Sequence, residues 1–136
     1  MDLYAENILD HSKHPRSTGD LPNPTVRHSE ENVSCGDALT IDLNIEDGVI
    51  KEIRWRGTGC AISQAAMSLL SEELEGMTLK DLAALQPAYV TELLGVPVGP
   101  RRFKCALLGL HTIKNALRIH SKQPPQSWID TVAVED

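Results

Sequence analysis

The clearest pattern in the chain is an alternation of apolar and polar residues in two neighbouring segments. Residues 39–46 place leucine and isoleucine at every second position, and residues 49–56 alternate in a similar way. A period of two is typical of strands that bury one face. The sequence therefore predicts a β-hairpin, 39–46/49–56, with Asp47 and Gly48 in its turn.

The register of this hairpin depends on the length of its loop. A two-residue loop would place Leu43 opposite Glu52, which mixes apolar and charged residues on one face. A three-residue loop keeps apolar residues opposite one another, so we expect that register. It also brings Cys35 opposite Gly59, next to Cys60, at the open end of the hairpin.

Helical periodicity accounts for much of the remaining chain. Apolar residues recur at spacings of three and four in segments 2–13, 61–74 and 101–120. Shorter helices are predicted to begin after Thr78, a plausible N-cap, and after Pro87. Most of the chain is therefore expected to fold as helices around the hairpin.

The length and the last residues bear on domain organisation. A chain of 136 residues is long enough to bury one hydrophobic core and gives no reason to expect two. We therefore predict a single domain, 1–122. The C-terminal tail, 123–136, begins at a proline pair, and three readings of it stay open: a strand, a docking segment or a disordered end.

Composition narrows the classes of function. The chain has 13 basic and 19 acidic residues and a net charge of -6, which is unlike a protein that binds nucleic acid. No apolar stretch approaches the roughly 20 residues that span a bilayer. The N-terminus also lacks the apolar segment of a signal peptide. We expect a cytoplasmic protein that binds neither nucleic acid nor membrane.

Candidate chemistry lies at three widely spaced cysteines, Cys35, Cys60 and Cys105. Disulfides are rare in a reducing cytosol, and an odd number of cysteines leaves one thiol over. Cys60 precedes a predicted helix, and Cys105 lies early in another, beside the basic run 101–104. Helix N-termini and neighbouring cations favour the thiolate, which is the form that binds metals and attacks sulfur.

Asp37 would complete a metal site with these thiols if the helix of Cys105 packs towards the hairpin mouth. Three sulfurs and one carboxylate oxygen fill a tetrahedron that zinc accepts. No two of these residues form a CxxC knuckle, which favours an exchangeable site over a structural one. The alternative is that the cysteines are buried core residues and bind no metal. The five histidines are expected at the surface or as caps rather than as ligands.

The segments around the cysteines resemble a known family. NVSCGDAL, GTGCAIS and RRFKCALLGL are similar to the three cysteine motifs of the U-type iron–sulfur scaffolds, the IscU/SufU/NifU N-terminal family. The opening YAENILDHSKHPRSTGDL resembles that family's first helix and turn. The resemblance implies an α+β, SufE/NifU-like fold: a small antiparallel β-sheet, made of the hairpin and an N-terminal strand, covered by helices. The periodicity of the chain agrees with that fold.

The resemblance also implies a function, that of an iron–sulfur cluster assembly scaffold, more a carrier than an enzyme. Such proteins accept sulfur as a persulfide from a cysteine desulfurase. They hold zinc or a transient cluster, here expected to be 2Fe-2S, and supply apo iron–sulfur acceptor proteins. The ligands carried over to this chain are Cys35, Asp37, Cys60 and Cys105. Cys35 is the first candidate for the sulfur-accepting thiol, with Cys105 the other, and Lys104 lies behind the ligands.

Two departures refine the resemblance. Lys104 stands where IscU-type members have histidine, and GVPVGPRRFK does not match their chaperone-binding motif, so we do not expect a dedicated heat-shock chaperone as a partner. Lysine at this position resembles the SufU type, although the insertion usual in that type is absent. We therefore expect a compact SufU-like member. Two roles stay open: cluster building, or zinc-dependent sulfur relay for the desulfurase without cluster building. The Lys104 ammonium either steers an anionic persulfide or points into solvent.

Overall fold

The computed structural model describes residues 3–34 and 36–132, which form an α+β fold as predicted. A 3-10 turn, Pro100–Arg102, leads into the longest helix. The elements in chain order are α1 (Leu3–Lys13), β1 (Val26–Asn32), β2 (Asp37–Glu46), β3 (Val49–Thr58), α2 (Ala61–Leu74), α3 (Leu79–Ala83), α4 (Pro87–Leu94), α5 (Phe103–His120) and α6 (Trp128–Val132).

The three strands form an antiparallel sheet in the order β1-β2-β3, so β1 is the expected N-terminal strand. Helix α5 packs on β1 and β2, α2 packs on β3 and α5, and α1 packs on α2. The core lies between the sheet and these helices. Its largest fully buried side chains include Trp55, Ile41, Leu43, Ile50, Ile53, Met67, Leu70, Leu107 and Leu108.

The loop of the β2–β3 hairpin is shorter than predicted. It contains two residues, because Glu46 pairs with Val49 across Asp47 and Gly48. Asp47 has φ 53° and Gly48 has φ 72°. Positive φ at both central positions is the mark of a type I′ turn, whose twist matches that of the flanking strands. The predicted three-residue loop is therefore wrong.

A β-bulge explains how the two-residue loop still keeps apolar residues together. The register shifts close to the turn, where Lys51 is the extra residue on β3. Because the bulge advances β3 by one residue, Leu43 pairs with Ile53 and not with Glu52. Lys51 is exposed to solvent, as its charge requires.

The segment after α1 covers the outer edge of β3 at Trp55. The amide of Trp55 donates to the carbonyl of Ser17 at 3.0 Å, and the amide of Gly19 donates to the carbonyl of Trp55 at 3.0 Å. The indole Nε1 of Trp55 donates to the carbonyl of Arg16 at 2.7 Å. These bonds satisfy an otherwise open strand edge and fasten the N-terminal segment to the sheet.

Asp42, in the middle of β2, is a fully buried carboxylate. It accepts hydrogen bonds from the amide of Leu21 at 2.9 Å and from the guanidinium groups of Arg27 and Arg56. Burial alone would raise the pKa of Asp42, but the bonds from Arg27, Leu21 and Arg56 outweigh burial and lower the pKa to about 2. This carboxylate therefore stabilises the fold in its ionised form.

Two histidines that were expected at the surface or as caps are instead buried. His11 is 4% exposed and His111 is 2% exposed. Nδ1 of His11 lies 2.7 Å from Oγ of Ser68, which joins α1 to α2. Desolvation lowers the pKa of both rings. Sequence reasoning misplaced them because each is a polar residue on the apolar stripe of its helix, where only a partner from another element satisfies it.

The tail ends the described part of the chain. Residues 128–132 form helix α6, which packs on α5, and not the strand that was one of the three readings of the tail; residues 133–136 lie outside the described residues. The proposed domain, 1–122, stays a prediction. Among the described residues, no helix combines the length and the apolar character needed to cross a membrane.

Candidate metal and thiol site

The open end of the hairpin meets the first residues of α2 and α5. Asp37 is the first residue of β2, Cys60 is the N-cap of α2, and Cys105 lies in the first turn of α5. A carboxylate oxygen of Asp37 and the sulfurs of Cys60 and Cys105 all lie within 4.8 Å of one another. The structure therefore brings together three of the four residues that were predicted as ligands. Their role as ligands stays a prediction.

Cys35, the fourth predicted ligand, lies outside the described residues. Its neighbour Gly36 lines the cleft that contains the other three. The predicted register put Cys35 opposite Gly59, but Ala38 pairs with Thr58 in the structure. Asp37, and not Cys35, is therefore level with Gly59. The shorter loop and the bulge are the reason, because each displaces the pairing of β2 with β3 by one residue.

Glycine at position 59 permits this close approach. A Cβ atom added at Gly59 would lie 2.5 Å from Oγ of Ser63 and 2.9 Å from Oδ1 of Asp37. Real side chains do not tolerate such distances, so a larger residue would push the carboxylate away from its place. The sequence showed glycines beside the cysteines, but only the folded chain shows which atoms they make room for.

The Asp37 carboxylate is buried in an unusual way. Its exposed fraction is 3%. Oδ1 accepts a hydrogen bond from the amide of Cys60 at 3.3 Å, whereas Oδ2 is buried and has no hydrogen-bond partner among the described residues. A buried carboxylate oxygen without a partner is costly. A cation bound by this carboxylate and the two sulfurs would offset that cost, so the residues present fit a metal.

The two cysteines differ in exposure but share a helix-end environment. Both are thiols. Cys60 is partly exposed, and Cys105 is 4% exposed. The side chain of Cys60 does not cap its own helix, although its carbonyl accepts the first helical bond from Gln64. Both sulfurs therefore stand at helix N-termini, where partial positive charge favours bound anions and metal-ligating thiolates.

Two arginines line the cleft, which has a volume of about 490 Å³. The basic run 101–104 predicted a cationic field at Cys105, and Arg101 and Arg102 supply it. Lys104 is not among the described residues that line the cleft. Its side chain is exposed, which agrees with the solvent-facing alternative, and its Nζ lies 5.8 Å from the ring centroid of Trp128. No sequence signal pointed to Trp128, since it belongs to the tail. The cleft is lined by Gly36, Asp37, Gly59, Cys60, Arg101, Arg102 and Cys105.

Comparison with known proteins places the chain in a family. Residues 3–126 match the model of the NifU-like N terminal domain. The chain belongs to this family. Its resemblance to the U-type scaffolds is thereby confirmed, and the match spans all the cysteine motifs but stops before α6.

Two bacterial scaffold proteins are similar to this chain over most of its length. The iron-sulfur cluster assembly scaffold protein IscU of Thermotoga maritima is 33% identical in an alignment 132 residues long, which covers 85% of this chain and 93% of that protein. IscU of Escherichia coli strain K12 is 29% identical in an alignment 123 residues long, which covers 84% of this chain and 91% of that protein. The similarity therefore extends over most of the length of both relatives.

Solved structures share the NifU-like fold. A NifU-like protein (N-terminal) from Brucella abortus superimposes with a TM-score of 0.75 at 22% identity, covering 88% of this chain and 95% of that one. A putative scaffold protein for the SUF system from Fervidobacterium islandicum gives a TM-score of 0.73 at 27% identity, covering 82% and 94%. Both agree with the arrangement of sheet and helices described above.

Proposed function

We propose that this protein is an iron–sulfur cluster assembly scaffold. The observation that carries the proposal is the convergence of Asp37, Cys60 and Cys105 within 4.8 Å, with one buried carboxylate oxygen that no described residue satisfies. Relatives that carry the name of such a scaffold, and that align over most of the chain, support it. In this proposal Cys35 is the fourth ligand.

The donor set suits a cargo that is held and then released. Thiolates bind iron and zinc tightly. A carboxylate is a harder ligand, and in a site made mostly of thiolates it exchanges more readily than they do. The cleft is open to solvent and Cys60 is partly exposed, so a partner protein has access to the bound metal. A transient cluster, of the 2Fe-2S kind, is therefore the proposed cargo, and apo iron–sulfur proteins are its proposed recipients.

Sulfur would enter this cleft as a persulfide on a cysteine desulfurase. The thiolate of Cys35 attacks the outer sulfur of that persulfide, an S–S bond forms on Cys35, and the desulfurase cysteine leaves as a thiolate. Arg101 and Arg102 line the cleft of a chain whose net charge is -6, so the local charge opposes the overall one. They would attract the anionic sulfur donor. The cysteines need a reducing compartment for this chemistry, for which we propose the cytoplasm.

Anaerobic reconstitution tests the proposal. The wild-type chain is given ferrous iron, sulfide and a reductant, and cluster formation is followed by visible absorbance and by iron and sulfide content. Cys60→Ser removes one ligand and is expected to abolish the stable cluster. Ser121→Ala, an exposed change at the end of α5, is the matched control and should behave as wild type. A Cys60→Ser protein that holds a full complement of metal would overturn the proposal.

A second candidate function is zinc-dependent sulfur relay for the desulfurase. The two thiols and one buried carboxylate favour it, because with Cys35 as the proposed fourth ligand they would complete a tetrahedron for zinc. Zinc would hold the thiolates in place until one of them takes up sulfur. The zinc-loaded protein would then stimulate the desulfurase and form no stable cluster. Transfer of a reconstituted cluster to an apo-ferredoxin would reject this candidate in favour of the first.

A further inference from the structure

The tail segment, residues 126–132, docks where the family match ends. The match stops at residue 126, yet the chain continues into α6 and packs on α5. This packing places a tryptophan from the tail beside the start of the helix that carries Cys105. The contacts that hold it there are specific and partly buried.

Asn115 of α5 anchors the beginning of the tail segment. Its Oδ1 accepts the amide of Gln126 at 2.7 Å, and its Nδ2 donates to the carbonyl of Gln126 at 3.2 Å. The side chain of Gln126 in turn donates to Oγ1 of Thr131 at 2.8 Å. Asn115 is 1% exposed and Gln126 is half-buried, so these two bonds are partly shielded from water. The path of the tail is therefore set at its first residue.

His111 holds the ring of Trp128 in one orientation. The two rings stack with centroids 4.1 Å apart and planes 18° apart. Nδ1 of His111 is hydrogen-bonded to Oγ1 of Thr131, and its Nε2 faces Glu30 of β1 at 3.5 Å. Asn115 also donates to Glu30 at 3.0 Å. The tryptophan thus rests on a network that joins α5, α6 and β1.

Lys104 lies on the solvent-exposed side of Trp128. Its ammonium lies 5.8 Å from the centroid of the Trp128 ring, within the range of a cation–π contact. Lys104 directly precedes Cys105, but in the described part of the chain the cations that line the cleft are Arg101 and Arg102. Lys104, the cation nearest to Cys105 in sequence, is therefore held beside Trp128 and outside the cleft.

We propose that Trp128 is a positioning residue for Lys104. In the docked tail it keeps the ammonium outside the thiol cleft, so that two of the three cations in the run 101–104 act on an incoming anion. The assignment rests on the proposed function, because an anionic persulfide is the species that would feel this difference. A partner that displaces the tail segment would release Lys104 and raise the attraction of the cleft for anions.

Alkylation by two reagents of different charge tests the assignment. The full-length chain, freed of metal with a chelator, reacts at one pH and low salt with iodoacetate, an anion, or with neutral iodoacetamide, and peptide mass spectrometry reads the rate at Cys60. The ratio of the two rates cancels the thiolate fraction and reports the local charge. Trp128→Leu should raise the ratio about twofold, the size expected for a unit charge that comes within about 10 Å in water. Trp128→Phe keeps an aromatic face and should match wild type.

Variants of Lys104 separate positioning from a general effect on structure. Lys104→Met alone should leave the ratio near the wild-type value, because the ammonium is already outside the cleft, and Trp128→Leu should then have no further effect. An unchanged ratio in Trp128→Leu, or a rise that persists with Lys104→Met, would overturn the proposal. A twofold fall in Lys104→Met alone would do so as well, and that measurement stands even if Trp128→Leu folds poorly.

The same assay keeps the two proposals apart. Alkylation reads charge at a metal-free thiol and needs no cluster, whereas reconstitution reads metal and sulfide. If the ratio of alkylation rates does not change in Trp128→Leu, the positioning role of Trp128 is rejected and the scaffold proposal is unaffected. If no cluster forms on reconstitution but the alkylation rates change as expected, the scaffold proposal is rejected and the positioning of Lys104 by Trp128 is retained.

Discussion

The amide of Cys60 donates a hydrogen bond to Oδ1 of Asp37, at a distance of 3.3 Å. This bond joins the start of α2 to the start of β2, and it occupies one oxygen of a buried carboxylate. The other oxygen, Oδ2, is buried and has no hydrogen-bond partner among the described residues. Oδ1 therefore links the two elements through a hydrogen bond, and Oδ2 is available to bind a metal ion.

The first prediction concerns the metal-free stability of the site. Asp37→Asn keeps the shape of the side chain and an acceptor for the Cys60 amide, but it removes a buried carboxylate whose Oδ2 has no partner among the described residues. An amide costs less to bury than a carboxylate, so we expect the metal-free variant to be more stable by about 1–2 kcal/mol. Zinc should raise its melting temperature less than that of wild type. Thermal unfolding with and without zinc measures both effects.

Asp20→Asn, an exposed change, is the control for that comparison and should follow wild type in both conditions. A metal-free Asp37→Asn protein that is clearly less stable than wild type would contradict the prediction. It would mean that Oδ2 is satisfied in the metal-free state.

The second prediction concerns Gly59. Gly59→Ala places a methyl group within 2.9 Å of Oδ1 of Asp37 and 2.5 Å of Oγ of Ser63, so the carboxylate must move. We expect a loss of about 1–3 kcal/mol in unfolding free energy, which is typical of overpacking, together with weaker zinc binding. Gly99→Ala is the matched control, since its added Cβ meets nothing within 4 Å. Urea unfolding and zinc titration of the two variants measure the difference, and equal behaviour would reject the steric role of Gly59.

The third prediction is a pH dependence at Asp42. Its pKa is lowered from 3.8 to about 2, so the ionised carboxylate contributes stability that is present above the unfolded value and is lost as pH falls through the folded value. A shift of this size corresponds to about 2 kcal/mol. Asp42→Asn should therefore be less stable than wild type near neutral pH, and the gap should close between about pH 4 and about pH 2.

Chemical unfolding of both proteins across that range measures the gap. Glu31→Gln, a change at an exposed acid of β1, is the control and should keep a constant offset from wild type. A gap between wild type and Asp42→Asn that stays the same down to about pH 2 would show that the ionised carboxylate contributes nothing.

The fourth prediction is that acid loosens the tail. Desolvation lowers the pKa of His111 below its usual 6.5; Glu30 opposes this shift and His28 adds to it. Because the folded pKa is depressed, docking is strongest above 6.5 and weakens as pH falls, when protonation favours the exposed ring. Hydrogen exchange in peptides that cover 126–132 should be faster at about pH 5 than at about pH 7.5, after correction for intrinsic rates.

His111→Gln is the comparison for this experiment, because it removes the titrating ring and should make the corrected exchange of the tail independent of pH over that range. Peptides of α2 serve as the internal reference. Equal protection of the wild-type tail at both pH values would contradict the prediction.

Much of the fold follows from the sequence alone because its signals are local. The period of two in β2 and β3, the apolar stripes of α2 and α5, and the Thr78 cap, whose Oγ1 accepts the amide of Asp81 at 3.1 Å, each depend on residues close together in the chain. The same local signals placed Cys60 and Cys105 at helix starts. With the motif spacing, they were enough to predict the family and three side chains that the structure brings together.

Tertiary structure decided what depends on contacts between distant segments. The two-residue loop and the bulge at Lys51 together made Asp37 level with Gly59, because the bulge restores the apolar pairing that a two-residue loop alone would lose. Packing of α6 on α5 buried His111 and drew the Lys104 ammonium to Trp128, which no local pattern encodes. The sequence by itself determined the elements and the chemistry they carry. Their mutual placement, and hence the charge around the thiols, came only with the folded chain, since burial and electrostatics depend on neighbours in space.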